Sequence, residues 1–222
     1  MMRVRWFGQS AFMLDGTKRV FIDPFADMSE MLRKRGGRFD YPLIEGVEAD
    51  LVLVTHEHFD HNQVDVIGGD PAVIRARAGT LESPVGDVVG VASEHDAVAG
   101  TQRGHNTIYC FSLDGTRFCH FGDFGQDALR PAQREAIGEV DVLFLPAGGG
   151  PTVAHDAAAQ IVRELAPRVT VVMHYGNEAV DFLEPPDGFF DALGAEVHRL
   201  EGSEADVGDL KDGVTMFGVP RA

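Results

Sequence analysis

Between Thr55 and Asn62 the chain reads Thr-His-Glu-His-Phe-Asp-His-Asn, which places His56, His58, Asp60 and His61 within six positions. Imidazole and carboxylate groups are ligands for zinc and neighbouring divalent metals. The preceding residues, Ala49 to Thr55, form an apolar run of buried-strand length (ADLVLVT), so the four groups leave the end of a strand together. In extended chain, residues i and i+2 face the same way. His56 and His58 can therefore clasp one ion, and Asp60 and His61, beyond a bend, another. An isolated histidine is usually structural; four donors packed this tightly point to metal.

Each ion needs four to six ligands, so further donors must arrive from distant segments. Three residues sit as His56 does, just past a strand-like run. His95 follows Val88 to Ala92, Asp123 follows Arg117 to Phe121, and His174 follows Val169 to Met173. Taken singly, each is more often structural than a ligand. Among the other histidines, His105 lies close to His95 and is a candidate for lining a pocket. His120 is a candidate for supporting a ligand, because metal-bound groups need orienting partners. His155 and His198 read as cleft-border or surface residues. For these four the plainer structural reading is favoured.

The elements that must position these donors follow from periodicity. Short strands are expected at Arg3–Phe7, Ala11–Leu14 and Arg19–Ile22, then at Ala72–Arg75, Val85–Ala92, Thr107–Ser112 and Arg117–Phe121. Buried strands are expected at Asp141–Leu145 and Val169–Met173. Val153 to Ala166 is expected to be a helix, with Ala158, Ile161, Val162 and Leu165 on one face. Phe189–Leu193 reads as helical, and Glu196–Leu200 and Val214–Val219 as strands. Many strands, followed by alternating strands and helices, predict an α/β architecture of large mixed sheets covered by helices.

A faint internal repeat accompanies this pattern. Phe12 to Thr17 (FMLDGT) matches Phe111 to Thr116 (FSLDGT) at five positions, and after the next strand each copy reaches an aspartate, Asp23 and Asp123. Chance is a serious rival, because Asp-Gly hairpins are common. Read functionally, two related halves each deliver an aspartate to the same end of a sheet, with Asp23 orienting a histidine ligand. The second hairpin also sets Cys110 opposite Cys119; two buried reduced thiols are the favoured reading. The long segment from Pro24 to Asp50 carries Arg33, Lys34, Arg35 and Arg38. It reads as a solvated basic turn or as a lid favouring an anionic substrate.

The order His56, His58, Asp60, His61, His95, Asp123, His174 resembles the metallo-β-lactamase superfamily, whose motif is His-x-His-x-Asp-His followed by a distant His, Asp and His. The nearer likeness is to the branch containing L-ascorbate-6-phosphate lactonase-like hydrolases. It rests on Trp6-Phe7-Gly8, Asp23-Pro24-Phe25, Arg103-Gly104-His105-Asn106-Thr107, His120-Phe121-Gly122-Asp123 and Leu145-Pro146-Ala147-Gly148-Gly149. The resemblance covers essentially the whole chain. It implies one domain over residues 1–222, an α/β fold of the four-layer αβ/βα sandwich type with two mixed β-sheets flanked by helices. It implies two divalent ions, zinc foremost with manganese or iron as alternatives. His56, His58 and His95 would surround the first, Asp60, His61 and His174 the second, and Asp123 would bridge them. A water between two such ions ionises near neutral pH and attacks a carbonyl or phosphoryl centre. Asp60 and His61 are the catalytic candidates, Asp60 by steering the nucleophile or relaying a proton. Asp123 stands where true β-lactamases commonly carry a cysteine, which counts against antibiotic hydrolysis. Gln9 stands where relatives often have a histidine after Trp-x-Gly. Gln9, Arg103, His105 and His120 are the candidates for substrate contact or ligand support.

Composition narrows the alternatives. In 222 residues, Lys and Arg total 19 and Asp and Glu 35, a formal charge of −16. Such a surface repels phosphate backbones and anionic lipids, so neither nucleic acid nor a membrane is the expected partner; a small molecule is. The first residues lack a secretion-signal pattern and no apolar run approaches membrane-span length, so a cytoplasmic location is expected. The oligomeric state is left open, a homo-oligomer included. A metal-dependent hydrolase of a lactone, ester or phosphoester is the leading expectation. A mononuclear-iron sulfur dioxygenase and a non-catalytic metal-binding module are the alternatives. A nuclease is disfavoured by charge.

Overall fold

The computed structural model of the chain describes residues 2–221. In chain order its elements are β1 (Arg3–Gly8), β2 (Ala11–Asp15), β3 (Arg19–Ile22), α1 (Ser29–Lys34), β4 (Val47–Glu48), β5 (Leu51–Val54), β6 (Ile67–Gly68), β7 (Ala72–Arg75), β8 (Gly79–Ser83), β9 (Gly86–Glu94), β10 (His105–Leu113), β11 (Thr116–His120), α2 (Pro131–Ile137), β12 (Val142–Pro146), α3 (His155–Leu165), β13 (Val169–Met173), α4 (Asp187–Leu193), β14 (Val197–Arg199), β15 (Glu204–Asp206) and β16 (Gly213–Met216).

The strands form two large mixed sheets, ordered β15-β1-β2-β3-β5-β7 and β14-β16-β13-β12-β11-β10-β9-β8, and a small β4-β6 pair. Each large sheet begins as an antiparallel meander and continues with parallel strands: β3, β5 and β7 in one, β11, β12 and β13 in the other. This is the α/β, two-sheet architecture the resemblance implied. The all-apolar runs of β5, β12 and β13 are buried at every position, as parallel strands between covering layers must be. Phe12 of the first sheet, stacked with Trp6, meets Phe144 of the second, with the Phe12 and Phe144 ring centroids 4.5 Å apart. Each such buried ring contributes about 1.5–3 kcal/mol relative to exposure. The cluster they belong to runs from Val4 to Phe217.

Two hairpins anchor the faint repeat. Asp114 in the β10–β11 turn accepts hydrogen bonds from the backbone N–H and hydroxyl of Thr17 in the β2–β3 turn, so the two related turns touch. Cys110 and Cys119 are directly paired across β10 and β11, both buried and free, with sulfurs 2.9 Å apart.

The expected elements are present with shifted ends; the helix expected at 153–166 spans His155–Leu165. Two helices were not anticipated. α2 is seven residues long and buries only Gln133 and Ile137, too little for a helical period to register. α1 lies inside the segment read as a loop and buries none of its residues. That segment is no free lid, since Phe25, Met28, Phe39, Tyr41 and Ile44 are all in the core. No helix among the described residues is long and apolar enough to cross a membrane.

Candidate metal centre

β3 and β5 run parallel, as do β11, β12 and β13, and β9 lies two antiparallel steps from β11. The C-terminal ends of the site-bearing strands in each sheet therefore open on one edge. Asp23 follows β3, His56 follows β5 by two residues, His95 follows β9, Asp123 follows β11 by three, and His174 follows β13. Several of these turns are made by backbone in the left-handed region: Asp23 (φ 50°), His174 (φ 48°) and Gln9 (φ 46°), which follows β1. A non-glycine residue there costs about 1–3 kcal/mol and persists where the surroundings over-determine it.

Two groups of donors converge at this edge. His56, His58 and His95 form one, and Asp60, His61, Asp123 and His174 the other; within each group the donor atoms lie within 4.8 Å of one another. Oδ2 of Asp123 is the common point. It lies 3.1 Å from Nε2 of His95, 3.2 Å from Nε2 of His61, 3.3 Å from Nε2 of His174 and 3.9 Å from Nε2 of His56. Asp60 Oδ2 is 3.5 Å from His61 Nε2 and 3.7 Å from His174 Nε2. Nε2 of His56 faces Nδ1 of His58 at 3.0 Å.

Supporting groups hold these rings. Asp23, fully buried, accepts from Thr55 N and Thr55 Oγ1, each at 2.8 Å, and pairs with Nδ1 of His61 at 2.9 Å. This is the orienting role expected of it. Thr55 Oγ1 also pairs with Nδ1 of His56 at 3.0 Å. Asn106 Oδ1 accepts the N–H of Asp123 at 3.1 Å, while its amide donates to Phe121 O at 2.8 Å. Gly122, at φ 55°, must be glycine, because a Cβ there would lie 2.4 Å from Asn106 Oδ1 and 2.6 Å from Thr55 Oγ1.

Electrostatics follow from this packing. Burial opposes ionisation of Asp123, but His174 and His61 outweigh it and hold the carboxyl well below the usual range. Asp60 is likewise held down by His61 and His174 against its burial. Burial would favour neutral His61, yet Asp123, Asp60 and Asp23 push its value well above normal. His56 is pushed down by burial and then by His61, and His58 by burial and then by His95. Nε2 of both His61 and His174 is buried without a hydrogen-bond partner. Ionised carboxylates set against imidazole nitrogens with no hydrogen-bond partner fit a divalent cation, which would take the place of the proton that the carboxylates otherwise hold on His61.

Above the donors lies a cavity of about 340 Å³, lined by His58, Asp60, His95, Arg103, Asp123, Pro151, His174 and Phe182. Arg103 is the one Lys or Arg among the described residues of its wall, and its guanidinium makes no hydrogen bond or ion pair among the described residues. The loop that carries it is tied together by the Asp96 carboxylate. Burial acts to raise the Asp96 carboxyl, but hydrogen bonds from the N–H groups of Arg103, Gln102, Gly100 and Val98 bring it down to about 2.

Some sequence expectations are not met. His105 does not line the cavity: it is exposed, while its neighbour Asn106 points inward, as strand alternation requires. His120 stands behind a carboxylate and not a histidine: it pairs with Ser10 O at 2.9 Å and accepts the N–H of Gly122 at 3.1 Å in the turn that carries Asp123, the supporting place the sequence reading gave it. None of Arg33, Lys34, Arg35 and Arg38 lines the cavity. Gln9 is fully buried and lies outside the cavity wall. Thr55, Asn106, Asp96, Pro151 and Phe182 were not anticipated.

Comparison with known proteins agrees with the geometry. A family profile described as the beta-lactamase superfamily domain matches residues 3–174. A UPF0173 metal-dependent hydrolase of Thermococcus kodakarensis is 30% identical over 239 residues, covering 96% of this chain and 98% of its own. A counterpart from Pyrococcus horikoshii is 30% identical over 236 residues, with 96% and 98% coverage. A solved Thermotoga maritima structure, described as a candidate zinc-dependent hydrolase of the metallo-beta-lactamase superfamily, superposes with a TM-score of 0.77 at 28% identity, covering 98% of this chain and 99% of that one. The chain belongs to the UPF0173 metal-dependent hydrolases of the metallo-beta-lactamase superfamily.

Proposed function

We propose that the protein is a binuclear metal-dependent hydrolase, with zinc the favoured ion, acting on a lactone, ester or phosphoester of a small anionic molecule. The observation that carries this reading is the convergence of two donor groups on Oδ2 of Asp123 at the floor of a cavity with one free guanidinium. His56, His58 and His95 would hold one ion, Asp60, His61 and His174 the other, with Asp123 between them. Bound there, two divalent ions would supply Lewis acidity and a water that ionises near neutral pH.

The chain's own groups do the rest. Asp23 keeps the His61 proton on Nδ1, leaving Nε2 free to ligate, and Thr55 does the same for His56. Asp60 is ionised, and its side chain is 19% exposed at the cavity floor, so it can orient a nucleophile or take up a proton. Arg103 meets an anionic group of the substrate, and Phe182 and Pro151 cover an apolar portion. A complete second donor group favours two ions over the single iron of a sulfur dioxygenase, and the open cavity favours turnover over a purely binding role.

The test is a panel of chromogenic lactones, esters and phosphoesters, assayed with the metal-loaded protein and with Asp60→Asn. Turnover of at least one class, abolished by chelation and slowed about 100-fold or more in the variant, is expected. Metal-loaded protein that turns over none of the panel overturns the reading.

A further inference from the structure

Three histidines of the centre differ in how their distal nitrogens are held. Nδ1 of His61 is paired with Asp23, and Nδ1 of His56 with Thr55 Oγ1. Nδ1 of His174, like that of His95, is buried and has no partner among the described residues. The Gln9 side chain is in the same condition: both polar atoms of its carboxamide are buried without a hydrogen bond among the described residues. Desolvating an amide with no return is unfavourable, and a native protein that keeps one there requires an explanation.

The backbone brings these unpaired groups together. The N–H of His174 donates to Gln9 O at 3.2 Å, and the same carbonyl receives Nε1 of Trp6 at 3.0 Å. The next residue, Ser10, donates from Oγ to Asp123 Oδ1 at 3.4 Å. Gln9 is therefore tied to both His174 and the Asp123 neighbourhood. Its left-handed backbone, φ 46°, is a further cost accepted at this position, and His174 shares it at φ 48°.

We infer that Gln9 is the positioning residue of His174, its Oε1 accepting the Nδ1–H of the imidazole when Nε2 turns to an ion beside Asp60 and Asp123. This rests on the metal-centre reading above. An amide suits the place because it accepts a hydrogen bond without adding a charge. The second donor group already has the carboxylates of Asp60 and Asp123, with Asp23 behind His61. Gln9 thus extends a pattern in which His61, His56 and His174 are each oriented by a different kind of oxygen: carboxylate, hydroxyl and amide.

The experiment compares wild type with Gln9→Leu and Gln9→His. It measures Zn²⁺ affinity by competition with a chromophoric chelator, melting of the metal-free protein, and the imidazole N–H signals of the zinc-loaded protein by ¹H–¹⁵N spectroscopy. In Gln9→Leu the more weakly held zinc should be about 10- to 100-fold weaker. The metal-free protein should melt no lower than wild type, because an unpaired amide has gone. The protected Nδ1–H signal of His174 should disappear. Gln9→His, which retains an acceptor nitrogen, should keep affinity within a few-fold. Gln9→Met replaces Gln9→Leu if the latter does not fold. Unchanged zinc affinity in Gln9→Leu, or weakening matched by an equal loss of metal-free stability, overturns the inference. Failure of the metal-centre reading would be distinct, because wild type itself would then bind no zinc.

Discussion

Replacing Asp23 by Asn alters the proton inventory of the centre while leaving its shape. Oδ1 accepts Thr55 N and can continue to do so as the amide oxygen. Oδ2 faces both Thr55 Oγ1 and His61 Nδ1, and an NH₂ group in its place is a donor. Thr55 can reverse its hydroxyl, but Nδ1–H of His61 then meets another donor at what is now a 2.9 Å contact. His61 escapes by moving its proton to Nε2, the atom 3.2 Å from Asp123 Oδ2, and so loses the lone pair a metal needs. A hydrogen bond to a charged group is worth about 1.5–3 kcal/mol. At about 1.4 kcal/mol per decade, Asp23→Asn should weaken the ion held by Asp60, His61 and His174 roughly 10- to 150-fold. Asp23→Ala orphans Thr55 N and His61 Nδ1 together and leaves Thr55 Oγ1 with His56 alone, and should cost about 3–5 kcal/mol of folding stability as well. Chelator-competition titration reads the first effect and thermal denaturation the second. Asp23→Asn protein that binds both ions with wild-type affinity would refute the role given to Asp23.

Four further outcomes are expected. Arg103→Gln should raise KM for an anionic ester about tenfold while leaving a matched neutral ester within twofold, checked by steady-state kinetics on the pair. Gly148→Ala would set a Cβ 2.3 Å from His174 O, so it should cost about 1–3 kcal/mol in melting experiments and weaken metal binding. Stripping the ions should lower stability by about 2.7 kcal/mol for each ion lost, about 5.4 kcal/mol for both, relative to protein at a hundredfold excess of metal over Kd, reversed on adding metal back. In metal-free protein the pH dependence has two limbs. The raised His61 contributes stability that is full below 6.5 and lost as pH rises through its folded value. The lowered Asp60 and Asp123 contribute stability present above 3.8 and lost as pH falls through theirs. Melting temperature against pH checks both, and a monotonic curve would contradict the assignment.

The donors were legible because each follows a strand whose apolar run announces itself: β5 before His56, β9 before His95, β11 before Asp123 and β13 before His174. Asp23 was legible through the repeated hairpin, and its bond to His61 bears out that reading. What supports the donors was less visible. Asp96 acts through four backbone N–H groups, a matter of loop conformation that residue spacing does not encode. Phe182 and Pro151 reach the cavity from segments far along the chain, so only the assembled fold brings them to His58 and Arg103. His105, a pocket candidate only through its closeness to His95 in sequence, lies exposed, because strand alternation turns Asn106 inward instead. Of the two readings of the basic segment, the solvated turn agrees with the exposure of Arg33, Lys34, Arg35 and Arg38, whereas the lid does not survive, because Phe25, Phe39 and Tyr41 dock the segment on the core.

The most direct test of the central claim is the metal content per chain, by elemental analysis of protein purified without added metal or chelator and again after loading with zinc. Two ions per chain, falling toward one in a His174→Ala variant, is the result predicted. A single iron per chain, or a loaded protein that retains no ion, would contradict it.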